Sequence, residues 1–488
     1  MHSILQDLRY ALRQLRKSPG FTATAILSLA LGIGATTAVF SVIYGILLDP
    51  YPYANPDRMV HMRLIDPEGH ERGFGTTASQ WQQIRKSPVV EDAFITNEWN
   101  LTVTGHDYPE DVSADLVSSN TFNFLGVPPA LGRNMQPSDA IDGQDPQPVV
   151  ELSYKFWQRH FLSDPSVIGK TLQMVRKNYT IIGVASPRFT WDDTDVYTPQ
   201  KITADPILGY YCGIRLKPGV THDQANAALQ PILEQFAKET PKHFPKKSFR
   251  LRVIGLNDDF LKQLGPALSL LFAAVALLLA IGCGNVSILL LARGTARQQE
   301  FAVRAAIGAG RRRLIAQLLT ESLLLSLTGA ALGVGLAYAT LAKIIALLPT
   351  YSFPHEAAIH INVPVLAFSV AVAILTGVLF GLWPALQISR PELSQNLQSG
   401  TRKIAGAVRG KRALALLIGG QITLTLLLLS GAGAALQGFL RLANVPLGYD
   451  PHNIMSVGIP FTTTLTKPGR NEPITSNNSA LPSLQFPA

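Results

Sequence analysis

Four stretches of this chain run for at least 28 residues without an Asp, Glu, Lys or Arg: 21–48, 263–292, 361–389 and 413–440. A fifth, 314–348, is interrupted only by Glu321 near one end and Lys343 near the other. About 20 apolar residues at 1.5 Å rise span a bilayer's hydrocarbon core. Lipid offers backbone groups no hydrogen-bond partners, so each stretch must satisfy its own as a helix. Only 15% of the chain is charged, against about 25% in a soluble protein, and the deficit sits in these stretches. The sequence therefore predicts a membrane protein with about five α-helical spans.

The first apolar run is about twice the length of a secretory h-region, and "LLDPYPY" after it holds no small-residue cleavage site, so it reads as a retained span. Orientation follows from the short loops. The N-terminal stub carries Arg9, Arg13, Arg16 and Lys17, the segment 293–313 six arginines, and 390–412 another six Lys and Arg. The segment 349–360, "PTYSFPHEAAIH", has neither, so the basic segments face the cytoplasm. The net charge of +9 is thereby explained by membrane topology, which removes the reason to invoke nucleic acid as a partner. Cys212 falls in the exported part and Cys283 inside a span, so no internal disulfide is expected, and nothing has metal-ligand spacing.

Residues 1–20 read as an amphipathic helix on the cytoplasmic membrane surface, with Leu5, Leu8, Leu12 and Leu15 on one face, or else as a merely solvated basic stub. Residues 49–262 form one exported segment long enough for its own core. In it "RMVHMRL", "QPVVELS", "NYTIIGV", "YYCGIRL" and "SFRLRVIGL" read as strands. "THDQANAALQPILEQFAKE" reads as a helix capped by Thr221 or Asp223, with Ala225, Leu229, Ile232 and Phe236 on its core face. An α+β periplasmic domain inserted between spans one and two follows. After span three (314–348) and span four (361–389), a basic linker at 390–412 leads to a fifth span at 413–440. The order basic stub, span, Tyr/Asp-Pro segment then repeats loosely that of the N-terminus, and the tail within 441–488 reads as exported and disordered at its end.

One phosphate-like signature is a decoy. "SVIGKTLQM" contains Gly169-Lys170-Thr171, but Asp164 stands where a P-loop needs its first glycine and a hairpin follows, so Gly169 reads as a turn residue. No Ser/His/Asp, Cys/His or paired-carboxylate pattern stands out, so the chain is not expected to be an enzyme. The segment "RQQEFAVRAAIGAGRRR" (297–313) is more specific. Glu300 and Arg304 are spaced to pair on one helical face, Gly308 and Gly310 end the helix, and Arg311 begins the anchor of the next span. Membrane anchoring explains the arginines; a docking surface for a cytoplasmic partner also explains the glutamate and the glycines. Glu321 is either a functional intramembrane acid or the partner of a nearby arginine. Gly329 and Gly333 make a close-packing face toward another span or a second subunit, and Pro384 is placed to kink the cytoplasmic end of span four.

These residues resemble the FtsX/MacB-like permeases of ABC transporters. The stretches that carry the likeness are "EFAVRAAIGAGRRRLIAQLLTESLLLSLTGAALG", "GVLFGLWPALQISRPELSQNLQSG" and, in the exported part, "VVELSYKFWQRHFLSDPSVIGKTLQMVRKNYTIIGV". The opening "LRYALRQLRKSPGFTATAILSLALGIGATTAVFSVIYGILLDPYPYANPDRMV" is similar to duplicated permeases of acidobacteria, with the second half incomplete here. The resemblance implies a permease subunit in the bacterial cytoplasmic (inner) membrane. It implies a dimer with a second permease copy, docked on separate cytoplasmic ABC ATPase subunits that bind the ATP and Mg. Hydrolysis would then move the periplasmic domain by mechanotransmission, for efflux or envelope export, with a periplasmic adaptor or envelope protein and membrane lipids as further partners. Glu300, Arg304, Gly308 and Arg311 match the family's ATPase-coupling segment, and Glu321 its "TES" motif. The alternative is a non-transporting scaffold or regulator of a cell-envelope partner. This chain shows no ATPase motif, and its second permease unit is represented only by a first helix.

Overall fold

The computed structural model describes residues 2–104, 109–141, 144–203, 205, 208–241, 244, 248–297, 300–301, 303–304, 307, 310–347, 353–388 and 405–445. Helix α1 (His2–Arg16) is parted from α2 (Pro19–Ile43) by Ser18, with Pro19 at the first helical position, where its missing N–H costs nothing. The α2 helix runs on through a π-helical turn, Tyr44–Leu48, to complete the first span.

The chain then leaves the bundle to build an α+β domain whose strands all join one mixed sheet. Its first lobe uses β1 (Met59–Ile65), with the short β2 (Glu71–Arg72) at its side, then α3 (Ala78–Arg85) and the first part of β3 (Val90–Thr104). The lobe is closed near the end of the domain by β10 (Tyr211–Leu216), α6 (His222–Glu239) and β11 (Arg250–Gly255). Strand order is β11-β1-β10-β3, with α3 and α6 packed over a core that includes Leu64, Trp81, Ile214, Leu229 and Phe236. Thr221 and Gln224 form a capping box at the start of α6. Leu233, not Ile232, takes the third core position on that helix; Ile232 is only half-buried.

The second lobe lies between these two halves in sequence: β4 (Glu110–Val117), α4 (Thr121–Leu125), β5 (Leu131–Gly132), β6 (Val149–Leu152), α5 (Tyr154–Phe161), β7 (Thr171–Met174), β8 (Lys177–Val184) and β9 (Val196–Pro199). Here the pairing β3-β4-β9-β6-β8-β7 returns to β3, so six strands close on themselves around Val112, Val150, Phe156, Leu172, Ile181 and their neighbours. Closure removes the unpaired edges that an open sheet would expose. Strand β3 reaches both lobes, and an aromatic cluster including Tyr53, Phe94, Phe122, Phe189, Trp191 and Tyr197 fills the space between them. The phosphate-like "SVIGKTLQM" lies at this barrel's rim. Gly169 has φ +84° in a turn, and the Lys170 ammonium is 2.7 Å from Asp164. Cys212 and Cys283 are both buried and free.

Four further helices are long and apolar enough to cross a membrane: α7 (Asp258–Ala296), α8 (Arg311–Leu347), α9 (Val363–Ile388) and α10 (Ala405–Ala443). With α2 they make five spans among the described residues, and the α+β domain is inserted after the first. Glycines set how closely α2 and α8 approach. A Cβ on Gly34 would lie 2.8 Å from the Gly333 carbonyl oxygen, one on Gly333 2.7 Å from that of Ala30, and one on Gly329 2.7 Å from Leu29. The Gly329/Gly333 face therefore meets another span of the same chain, as small residues allow in lipid. A second seam, not expected from the sequence, sets Gly377 and Gly381 of α9 against Ser326 and Ser322 of α8. Thr37 and Ser369 share a buried hydrogen bond of 2.9 Å across α2 and α9.

Pro384 sits within α9, which continues to Ile388. Proline has no N–H for the carbonyl four residues earlier. That carbonyl, of Phe380, instead accepts a 2.9 Å hydrogen bond from Ser287 of α7. By contact the chain divides into two units, 1–428 and 429–488. The described part of the second is the end of α10 with residues 444–445, and the side chains described at 429–441, 444 and 445 are exposed. Gly308, residues 389–404 and the tail from 446 onward lie outside the described residues.

Candidate functional site

At the cytoplasmic end of the bundle the segment between α7 and α8 folds back as a short helical piece, of which Glu300, Phe301, Val303, Arg304 and Ile307 are described. Phe301 is 4% exposed and packs with Leu314 against Leu291 and Leu318, which fixes one side of the segment to the ends of α7 and α8. Glu300 and Arg304 pair at 2.6 Å, as their spacing requires.

The pair is part of a larger network. Arg297 reaches Glu300 at 2.8 Å through Nε, and its NH1 group lies 3.3 Å from both carboxylate oxygens of Glu321. Tyr10 of α1 donates its hydroxyl hydrogen to Glu300 and receives N–H groups from Arg297 at 3.0 Å and from Arg304 at 2.7 Å. Arg304 also lies over the Tyr10 ring, 4.7 Å from its centre, and donates to Gln317 of α8 at 2.7 Å. Gln14 bonds to the Tyr10 hydroxyl, and the carbonyl of Gln14 accepts from Arg293 at 2.6 Å. One cluster thus ties α1, α7, the connecting segment and α8 together. The Arg297 hydrogen bonds, aided by Tyr10, hold the Glu300 carboxyl down at about 2, so it is ionised at any physiological pH.

Glu321 is 2% exposed and answered by Arg297. Pro384 lies beside it: with Gly381, Leu318 and Arg297 it lines a crevice of only about 10 Å³. That is room for about one water, so the cluster is a packed joint and not a ligand site. Gly310 and Arg311 are exposed at the start of α8.

The outward side of the segment differs in kind. Val303 is 58% exposed and Ile307 82%. The structure thus brings Glu300, Arg304 and Glu321 together, leaves Arg311 at the exposed edge, and places Gly329 and Gly333 deeper between α2 and α8. Sequence reasoning missed Tyr10, Gln14, Arg297 and Gln317 as members of the network. Tyr10 was detectable in principle, since a tyrosine beside arginines on an amphipathic face carries both a ring and a hydroxyl for them, but its partner lies 290 residues away. Arg304 faces inward, so the apolar pair, rather than the charged one, is what the segment presents.

Residues 22–232 match the family described as MacB-like periplasmic core domain, and residues 270–393 that described as FtsX-like permease C-terminal. A macrolide export ATP-binding/permease protein MacB of Chromobacterium violaceum is 31% identical over 288 residues, covering 56% of this chain and 42% of that protein. The MacB of Salmonella paratyphi A is 27% identical over 341 residues, 65% of this chain and 50% of its own length. A probable syringafactin export ATP-binding/permease protein SyfD of Pseudomonas syringae is 26% identical over 313 residues, 62% and 43%. The chain spans about half the length of the curated relatives it matches. Among solved structures, the periplasmic region of MacB from Actinobacillus actinomycetemcomitans aligns over 47% of this chain and 97% of its own, at 14% identity and a TM-score of 0.33.

Proposed function

We propose that this chain, which belongs to the FtsX/MacB-like permeases of ABC transporters and is a multi-pass inner-membrane protein with a periplasmic domain, couples ATP hydrolysis by a cytoplasmic ATPase to movement of that domain. The observation that carries the reading is the two-sidedness of the segment around residue 304. Its inner side is fixed to three helices by Phe301 and the Tyr10–Arg297–Glu300–Arg304 cluster, while Val303 and Ile307 stand exposed. A push on the exposed side passes into α1, α7 and α8 without slack, because a charge-compensated, packed joint has few alternative arrangements. From there α2 and α7 lead directly into the periplasmic domain, entering it before β1 and leaving it after β11.

On this reading the ATPase subunit binds the ATP and Mg, a second permease copy completes a dimer, and the periplasmic movement serves efflux or envelope export. Glu300, Arg304 and Glu321 hold the joint. Arg311 flanks the docking face, as Gly308 does in sequence, and a periplasmic adaptor is a further partner. The test is co-purification of the full chain in mild detergent, read by mass spectrometry. Stoichiometric capture of an ABC ATPase supports the coupling role. A folded chain that captures none would sink it and leave the scaffold or regulator of an envelope partner as the reading to pursue.

A further inference from the structure

The opposite end of the bundle holds a cavity of about 480 Å³ between the base of the first lobe, the start of α7 and the loop at Phe353–Glu356. Pockets of about 300–1,000 Å³ take drug-sized ligands. Tyr51, Trp191 and Tyr211 line it, together with the carboxylates of Asp192, Asp259 and Glu356. The rings form a connected wall with Tyr53 behind them: Tyr51–Tyr53 and Tyr53–Trp191 are 5.7 Å apart by ring centres, and Trp191–Tyr211 5.9 Å. The Thr190 hydroxyl on the same wall has no hydrogen-bond partner among the described residues, and the indole of Trp191, a residue only 5% exposed, stands beside the Asp192 carboxyl.

The three acids are not alike. Asp259 is answered by Arg63 at 3.1 Å, with His61 at 3.5 Å. Among the described residues, Asp192 and Glu356 have no Lys, Arg or His within 4.0 Å. Glu356 is 8% exposed and takes one hydrogen bond, 2.6 Å from the Tyr53 hydroxyl. Burial pushes both carboxyls up to about 7, helped by Glu98 at Asp192 and by Asp192 and Asp193 at Glu356. Carboxylates kept this far from water are stable only when protonated or when given a cation.

We propose that this cavity binds an ammonium group carried on an apolar body, with the cation held by Asp192 and Glu356 and the body against Tyr51, Trp191 and Tyr211. A cation is attracted by both the carboxylates and the faces of the rings. An anionic ligand would meet two acids whose neighbouring arginine is already engaged. A neutral one would leave the acids uncompensated. Asp259 and Phe260 at the start of α7, where the chain passes from the domain into a span, line the cavity, so the ammonium group has two sources: a lipid headgroup or a soluble amphiphilic amine. The inference goes beyond the coupling reading and does not depend on it, because binding is measured on the chain alone.

The experiment uses the full chain in phosphatidylglycerol nanodiscs, titrated calorimetrically with 4-phenylbutylamine and, separately, with its uncharged counterpart 4-phenylbutanol. The signal is the difference between the native chain and Glu356→Gln in the same discs, which removes non-specific attraction to the lipid. Asp192→Asn serves as the second variant should the first misfold. The expected result is saturable binding of the amine, weakened at least tenfold by either substitution and at least tenfold weaker for the alcohol. Repeating the titration with phosphatidylethanolamine in the discs identifies the source. Loss of amine binding there assigns the site to the lipid headgroup, and retained binding assigns it to a soluble amine. Equal binding by native chain and variants, equal binding of the alcohol, or no binding in the phosphatidylglycerol discs overturns the proposal.

Discussion

The two ends of the membrane bundle each gather buried charge, and they treat it in opposite ways. At the cytoplasmic end Glu300 and Glu321 share Arg297, Glu300 also holds Arg304, and Tyr10 fills the space between them. The crevice left over is barely the size of a water. At the periplasmic end Glu356 and Asp192 line a cavity nearly fifty times larger and, among the described residues, have no Lys, Arg or His within 4.0 Å. Charge that is answered and packed makes a joint. Charge that is buried, unanswered and beside open volume is costly to keep, which is the usual mark of a place where something binds.

The sharpest way to break this comparison is to remove the shared cation. Arg297→Met leaves Glu321, 2% exposed, without its ion-pair partner, the more distant Arg293 being the nearest charge left to it among the described residues. Removing one partner of a buried pair costs about 3–5 kcal/mol, and thermal unfolding of the purified chain should register a loss of that size. The matching change at the other end, Glu356→Gln, should cost little or even stabilise. A small effect for Arg297→Met would erase the distinction between the two ends.

The second effect is a pH dependence, and its sign separates the ends again. The Glu356 carboxyl titrates at about 7 in the fold and near 4.5 unfolded, so the folded chain binds its proton more tightly. The penalty is absent below about pH 4.5, grows through pH 7 and is complete above it. At about 1.4 kcal/mol per unit this comes to roughly 3 kcal/mol. Stability of the native chain should therefore fall across that window, and Glu356→Gln should flatten the fall. Glu300 has the opposite sign. Its folded value of about 2 lies below the unfolded 4.5, so its contribution is fully present above pH 4.5 and is lost as pH drops toward 2. Unfolding midpoints measured from pH 3 to 8 in native chain and variant check both slopes.

Tyr10→Phe is the third and smaller test. It keeps the ring under Arg304 but removes the hydroxyl that meets Glu300, Arg297 and Arg304. A loss of about 1.5–3 kcal/mol is expected for hydrogen bonds to charged groups, with α1 becoming more susceptible to protease. Unchanged protection of α1 would mean the tyrosine does not hold it.

How much of this was legible beforehand depended on whether a feature is local. Uncharged runs report spans because the bilayer acts on every residue in them, and the Glu300–Arg304 pair follows from helical spacing alone. The capped helix at Thr221 was legible for the same reason. The cytoplasmic cluster was only half visible: Glu300 to Arg304 is four residues, whereas Tyr10 to Glu300 is 290. The aromatic cavity was invisible. Its acids, Asp192 and Glu356, lie in a 3-10 turn and in a loop between spans, where no periodicity marks them, and they come together only because the domain sits on the bundle. Strand β3 escaped notice because its exposed middle, Glu98–Asn100, breaks the alternation that marks a half-buried strand.

The smallest stability effect carries the largest functional one. Reversing Arg304 to Glu cannot isolate docking, since it sets a second acid against Glu300 and removes the cation over Tyr10. Ile307 is 82% exposed and takes no part in the cluster, so Ile307→Asp should change the unfolding midpoint by no more than about 0.5 kcal/mol. An apolar anchor at the centre of a docked face is worth about 2 kcal/mol or more when replaced, which corresponds to a weakening of ATPase capture by more than tenfold. Loss of capture with stability intact would locate the dock on the outward side of the segment. Intact capture would mean that the exposed pair Val303 and Ile307 faces something other than the ATPase, and that the joint behind it serves only to hold the bundle closed.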